Sequence, residues 1–246
     1  VARRLAGLGA QTVLLDLNHD GLQRTGALIS EAGNAEPLCI HLDLTDAKAT
    51  GSAVRRAIET YGGIDALVSN AGIPATGRLT DVSPDDWRRS LEVNTTSHFL
   101  ITAEVMRAME VSGLGGSIVY VASKNAFGPG AGFGPYSAAK AAEVQLARIV
   151  ALEGGASSIR SNIVNPDAVF EDSGLWSGQV RMERAAAHGV PVDELEQFYA
   201  RRNLLQTPVT GSDVAEAVAF LISDRSRATT GTVIAVDGGV AAAFPR

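Results

Sequence analysis

Six short apolar runs recur along the chain, TVLLDL, AEPLCIHLDL, IDALVSNAG, GSIVYVAS, SIRSNIVNP and GTVIAVDGG, with amphipathic or alanine-rich stretches between them. The runs show little polar alternation, and a strand that is apolar throughout must be covered on both faces. That condition is met by a parallel sheet with helices packed on each side. The pattern predicts an α/β fold, a doubly wound parallel sheet forming a three-layer αβα sandwich. Such sheets hold ligands at the carboxyl ends of their strands, so chemistry is sought in the residues that follow each run.

The chain has 246 residues, 46% hydrophobic and 20% charged, which is enough for one sizeable core, and residues 1–246 are read as one catalytic domain. Its 21 basic and 27 acidic residues give a net charge of −6, and the cations form no stripe, which argues against nucleic acid or an anionic membrane as partner. The single cysteine, Cys39, lies in an apolar run and reads as a buried, inert thiol, compatible with a reducing, cytoplasmic setting. Uninterrupted apolar runs fall short of the roughly 18 residues that a membrane helix needs.

The opening VARRLAGLGAQ reads as the second half of a helix feeding the strand that ends at Asp16. A dinucleotide-binding sheet normally begins with a strand and a Gly-rich turn. Neither is present in the sequence, so the chain is expected to be part of a longer one. Residues 170–206 break the strand and helix rhythm, carry Trp176 and Tyr199, and read as an insertion that closes over the substrate as a lid.

The strongest chemical signal is PYSAAKAA, which puts Tyr136 and Lys140 one helical turn apart on one face. A phenol titrates near 10, too high for a good base at neutral pH, and a neighbouring ammonium favours the phenolate. Ser123 ends the run GSIVYVAS thirteen residues before Tyr136, where its hydroxyl could hold a substrate oxygen or could simply cap a turn.

With this spacing, the chain resembles the short-chain dehydrogenase/reductase family, whose fold is Rossmann-like. Other segments resemble the family in order: Asn70, Ala71 and Gly72 of NAG, Asp43 and Leu44 of HLDLT, Asn94 of LEVNTTSHF, and the final TGTVIAVDGG. The resemblance implies a catalytic set of Asn94, Ser123, Tyr136 and Lys140. Tyr136 would exchange a proton with the substrate, Lys140 would assist it and hold the nicotinamide ribose, Ser123 would orient the substrate oxygen, and Asn94 would hold a relay water. It also implies that Asp43 and Leu44 meet the adenine and that Asn70 to Gly72 steady the sheet beside the adenosine. Pro166 and Val169 would lie near the carboxamide, although Asp167 stands where the family usually has glycine. Asp16 ends a strand where a carboxylate accepts hydrogen bonds from a ribose 2′-hydroxyl and repels a 2′-phosphate, so NAD is expected rather than NADP.

NPDAVF, the insertion with Trp176 and the tail VDGGVAAAFPR are similar to the dehydrogenase half of bifunctional enzymes that join a class II sugar-phosphate aldolase to a short-chain dehydrogenase. This implies an aldolase upstream and, as substrate, lactaldehyde or a related hydroxyaldehyde or sugar. Family likeness further implies a homodimer or homotetramer. The alternatives are a ketoreductase for a bulkier substrate and a catalytically silent dinucleotide-binding module. Lys124 is read as pointing to solvent, with contact to an anionic or polyhydroxylated substrate as the other reading. His19, His41, His98 and His188 show no metal-ligand spacing and are assigned to solvent or core. Asp85 and Asp86 after Ser83 and Pro84 read as a helix start.

Overall fold

The computed structural model describes residues 1–171, 173–176 and 178–244. Six strands follow the six apolar runs: β1 (Val13–Asp16), β2 (Leu38–His41), β3 (Ala66–Ser69), β4 (Gly116–Val121), β5 (Ile159–Pro166) and β6 (Val233–Val236). Every pairing is parallel, as the apolar runs predict. The helices are α1 (Ala2–Gly7), α2 (His19–Glu31), α3 (Ala47–Tyr61), α4 (Pro84–Leu91), α5 (Ser97–Ser112), α6 (Gly134–Gly154), α7 (Gly178–His188), α8 (Leu195–Arg201) and α9 (Gly211–Ile222).

Strand side chains alternate between two cores. Ile118, Tyr120 and Ile163 join Ile101, Val105, Met109, Val144 and Ala147 of α5 and α6 on one face. Val119, Val121 and Val164 join Leu5 of α1 and Val214, Val218 and Leu221 of α9 on the other. This two-sided burial makes the sheet the middle layer and explains why its strands read as continuously apolar.

The ladders differ from the expectation of a continuous sheet. Hydrogen bonds join β1 to β2 in one ladder and β3, β4, β5 and β6 in another. β1 and β3 each pair with only one strand among the described residues, and Val13, Leu14 and Leu15 are only half-buried. Cys39 on β2 is also half-buried rather than buried. The thiol's pKa is still raised by burial and by the nearby Glu36 carboxylate.

Local chemistry sets the helix ends. Asn18 accepts from the Gly21 N–H, Asp46 from Lys48 and Ala49, and Thr210 with Asp213 forms a capping box. The predicted start at Ser83 is present: its side chain accepts from the Asp86 N–H, Pro84 opens the helix, and Asp85 and Asp86 lie in the first turn. Between α4 and α5 the backbone forms a π-helical turn, Glu92–Thr96. Among the described residues, no helix is long and apolar enough to cross a membrane.

Candidate active site

One cleft of about 1540 Å³ runs across the carboxyl ends of the strands. Asp16, Asp43 and Leu44 line one end, Asn70, Ala71 and Gly72 the middle, and Ser123, Tyr136 and Lys140 the far side with Pro166 and Val169. Every residue expected from the sequence to touch cofactor therefore reaches the same space, and Asn94 is buried just behind it.

Asp16 and Asp43 are exposed at strand ends. Asp16 Oδ1 accepts from the Asn18 N–H at 2.8 Å, while Asp43 Oδ1 accepts from the Thr45 backbone at 2.9 Å and hydroxyl at 2.7 Å. Those two bonds hold the Asp43 carboxyl below its ordinary pKa. No Arg or Lys directly follows Asp16 in the sequence, but Arg24, eight residues on, also lines the cleft.

Asn94 occupies the π-helical turn, where its Oδ1 accepts from the Ile73 N–H at 2.9 Å and its Nδ2 donates to Ser90 Oγ at 3.3 Å. A Cβ at Gly72 would lie 3.0 Å from Asn94 Oδ1 and 3.9 Å from Lys140 Nζ, so a larger residue there would press on the asparagine. The NAG segment thus touches the Asn94 and Lys140 end of the site in addition to supporting the sheet. Ser123 accepts from the Asn125 N–H at 3.2 Å, so it does cap the turn Lys124–Ala126 while lining the cleft.

Tyr136 and Lys140 rise from α6, and Lys140 Nζ lies 5.9 Å from the centre of the Tyr136 ring. Lys140 is also paired with a group that sequence reasoning missed. Its Nζ donates to Glu143 Oε2 at 2.7 Å and to the Val121 carbonyl at 3.1 Å. Burial opposes the lysine's charge, but the Glu143 and Tyr136 side chains outweigh it and hold the ammonium above its ordinary pKa. Burial pushes the Glu143 carboxyl up to about 7, with Lys140 pulling the other way. The available signal was an acid on a stretch of α6 whose neighbours Ala139, Val144 and Ala147 are core residues.

Beyond Glu143 lies His98, of the two expected environments in the core one. Its Nε2 donates to the Ala71 carbonyl at 2.9 Å, which leaves Nδ1 to accept from the Ser69 hydroxyl at 2.6 Å. Burial, then the Lys140 charge, lower its pKa to about 3. The folded state therefore refuses a proton that the unfolded chain takes up below pH 6.5. This stabilising contribution is full above 6.5 and declines as pH falls toward 3, at about 1.4 kcal/mol per pH unit. Urea unfolding of the protein and of His98→Gln is expected to show a stability gap that widens with pH over that window and then levels. A constant gap would refute the neutral, buried imidazole.

The segment from 170 to 206 contributes Trp176, Arg184, His188, Tyr199 and Arg202 to the cleft wall. Trp176 stacks on Phe170 at 4.4 Å and meets Tyr199 edge-on at 5.1 Å, around a small core that includes Leu195. Asp167 is buried, and both its oxygens lie 2.6 Å from Arg202 Nη2, so the departure from Pro-Gly is held by an ion pair from the insertion. Lys124 does not point to solvent. It is half-buried on the cleft wall, and its Nζ donates to the Gly128 carbonyl at 3.0 Å. Among the described residues, no group of three or more His, Cys, Asp or Glu could hold a metal ion.

A family model described as enoyl-(acyl carrier protein) reductase matches residues 1–241. The chain is 40% identical to "Uncharacterized oxidoreductase YuxG" of Bacillus subtilis over 99% of its own length, and spans 36% of that relative's length. Its fold is similar to a variant of actinorhodin polyketide ketoreductase solved with NADPH, with TM-score 0.91 and 30% identity over 98% of this chain and 91% of that one. It is also similar to carveol dehydrogenase from Mycobacterium avium in complex with NAD, with TM-score 0.89 and 28% identity over 97% and 91% of the two chains. With these matches and this cleft, the chain belongs to the short-chain dehydrogenase/reductase family of oxidoreductases.

Proposed function

We propose that the protein moves hydride between NAD and the hydroxyl or carbonyl carbon of a small polar substrate, of which lactaldehyde and related hydroxyaldehydes or sugars are the first to try. The observation that carries this reading is the pairing of Tyr136 with a buried, charged Lys140 on the wall of a cleft that extends to Asp16. Small-molecule pockets commonly enclose roughly 300–1000 Å³. A cleft of about 1540 Å³ has room for a dinucleotide and a small substrate together.

When bound, the nicotinamide supplies the hydride acceptor or donor. The Tyr136 hydroxyl exchanges a proton with the substrate oxygen, and the Lys140 ammonium beside it stabilises the phenolate that this leaves. Ser123, fixed by its own turn, orients the same substrate oxygen. Lys140 keeps its charge because Glu143 faces it, and Asn94 braces the backbone at Ile73 so that Gly72 stays against the lysine. Trp176 and Tyr199 lie where the insertion would act as the lid over the substrate end.

Asp16 favours NAD, since its exposed carboxylate suits a 2′-hydroxyl and repels a 2′-phosphate. Asp16→Ser, with Arg24 left in place, is expected to raise kcat/KM for NADP relative to NAD by about tenfold or more, the value of one lost charge repulsion of about 1.4 kcal/mol. Steady-state rates with both cofactors check this, and an unchanged ratio would remove Asp16 from cofactor choice.

Self-association through α5 and α6, as a homodimer or homotetramer, fits the exposure of Phe99, Ile149 and Leu152 on those helices. An aldolase in the same polypeptide and a cytoplasmic setting complete the reading. The reading is tested by following nicotinamide reduction with lactaldehyde, small sugars and polyols against a set of hydrophobic alcohols. Turnover confined to the hydrophobic set would replace it with a bulky-substrate ketoreductase, and cofactor binding without any turnover would replace it with a silent binding module.

A further inference from the structure

Among the described residues, Arg184 is a buried cation with no counter-charge. Its side chain, on α7, is 8% exposed and lines the cleft. Nη1 donates to the Ala131 carbonyl at 3.0 Å, Nη2 lies 3.0 Å from His188 Nε2, and Nε has no partner. Among the described residues no carboxylate comes within ion-pair distance of it. A guanidinium withdrawn from water without an anion is costly, and proteins seldom keep one unless something completes it.

Its neighbours deepen the imbalance. Lys124, which lines the same cleft, spends its ammonium on a neutral carbonyl. Burial, and then the Arg202 charge, lower the pKa of that lysine; Asp167 pulls the other way and Arg184 adds to the fall, so the net effect of its charged neighbours and burial is against its proton. Arg202 is neutralised by Asp167, and among the described residues of the insertion that line the cleft the one acid, Glu171, is exposed. His188, to which Arg184 donates, has its pKa lowered first by burial and then by Arg184, Arg202 and Lys124. A neutral imidazole brings no negative charge to balance them.

The position ties this charge to the reaction. The Arg184 guanidinium lies 4.7 Å from the centre of the Phe133 ring, and that ring lies 6.0 Å from the Tyr136 ring. The unpaired cation is therefore one side chain removed from the tyrosine.

We propose that Arg184 and Lys124 form an anion-binding subsite in the catalytic cleft, and that the substrate carries a carboxylate or phosphate close to the hydroxyl or carbonyl that reacts. This rests on the dehydrogenase reading of the cleft and narrows its small polar substrates to anionic ones. Charge-assisted bonds from a planar guanidinium are the stronger kind, and they recognise both anions by the same fork. Carboxylate and phosphate are the two sources of that chemistry.

The test compares neutral and anionic alcohols of one carbon skeleton with the full chain and NAD: butane-1,3-diol against 3-hydroxybutyrate, and glycerol against glycerol 3-phosphate. The expected result is a kcat/KM at least about tenfold higher for the anionic member in one of the two pairs, which also tells carboxylate from phosphate. Arg184→Gln is expected to reduce that anionic-to-neutral ratio at least about tenfold, Arg184→Lys to restore part of it, and Lys124→Gln to reduce it independently should the arginine variant fail to fold. Neutral members turned over as well as anionic ones in both pairs, or a ratio untouched by these variants, would overturn the proposal. Titration calorimetry of the NAD-loaded protein with 3-hydroxybutyrate and with inorganic phosphate separates the two readings. Binding that Arg184→Gln weakens, with no alcohol turned over, keeps the subsite and discards the dehydrogenase; turnover with no anion binding does the reverse.

Discussion

Tyr136→Phe is expected to lower kcat by about 10²–10⁴, the usual value of one positioned acid or base, while the protein still folds and still binds its nicotinamide cofactor. The ring is 7% exposed and packs near Phe133, so phenylalanine keeps the apolar contacts and removes only the hydroxyl. Because the loss belongs to proton exchange in the transition state, kcat and kcat/KM should fall together, with no comparable rise in KM. Stopped-flow and steady-state rates, with cofactor binding followed by fluorescence, measure this. A loss under about tenfold would mean that another group handles the proton.

Lys140→Met should be the most damaging single change to stability. Removing one partner of a buried ion pair typically costs about 3–5 kcal/mol, because the other is left without compensation. Here the stranded group is the Glu143 carboxylate, fully buried beside the lysine. Its pKa, already pushed up to about 7, must rise further once the ammonium is gone. A group raised in this way contributes stability below its unfolded value near 4.5 and loses it as pH climbs through the folded value. The variant is therefore expected to weaken steadily between about pH 5 and pH 8, by about 1.4 kcal/mol per unit. Adding Glu143→Met should recover most of the loss, since two apolar side chains of similar volume leave no buried charge. Urea unfolding at pH 6 and pH 8 of the single and double variants decides it, and a cost independent of pH in the single variant would show that Glu143 is not the cause.

The architecture was legible because β4 and β5 are buried on both faces, which leaves a pattern that no solvent-facing strand would produce. That Ser123, Tyr136 and Lys140 would share one cleft was legible from their spacing taken together with the family resemblance, two of them on one helix and the third at a strand end. Glu143 was not, because an acid in an alanine-rich helix ordinarily faces water; its burial depends on His98 and Ser69, brought from α5 and β3 by the tertiary fold. Asp167 was visible as a departure from glycine, but its partner Arg202 stands 35 residues further on, in a stretch without strand or helix rhythm. Arg184 lay in the same stretch. Lys124 was assigned to solvent by the ordinary behaviour of lysine, and only the return of the chain at Gly128 offers its ammonium a carbonyl inside.

The π-helical turn at Glu92–Thr96 gives the helical segment more to do than carry one asparagine. Asn94 grips the backbone at Ile73, and His98, one turn on, grips it at Ala71. The two side chains act as a splint with two notches, holding the crossing after β3 where no ladder reaches it. Each residue of an α-helix advances the phase by about 100°. The wide turn sets the relative phase of the two notches, and shortening it by one residue would swing one notch away from the backbone it holds.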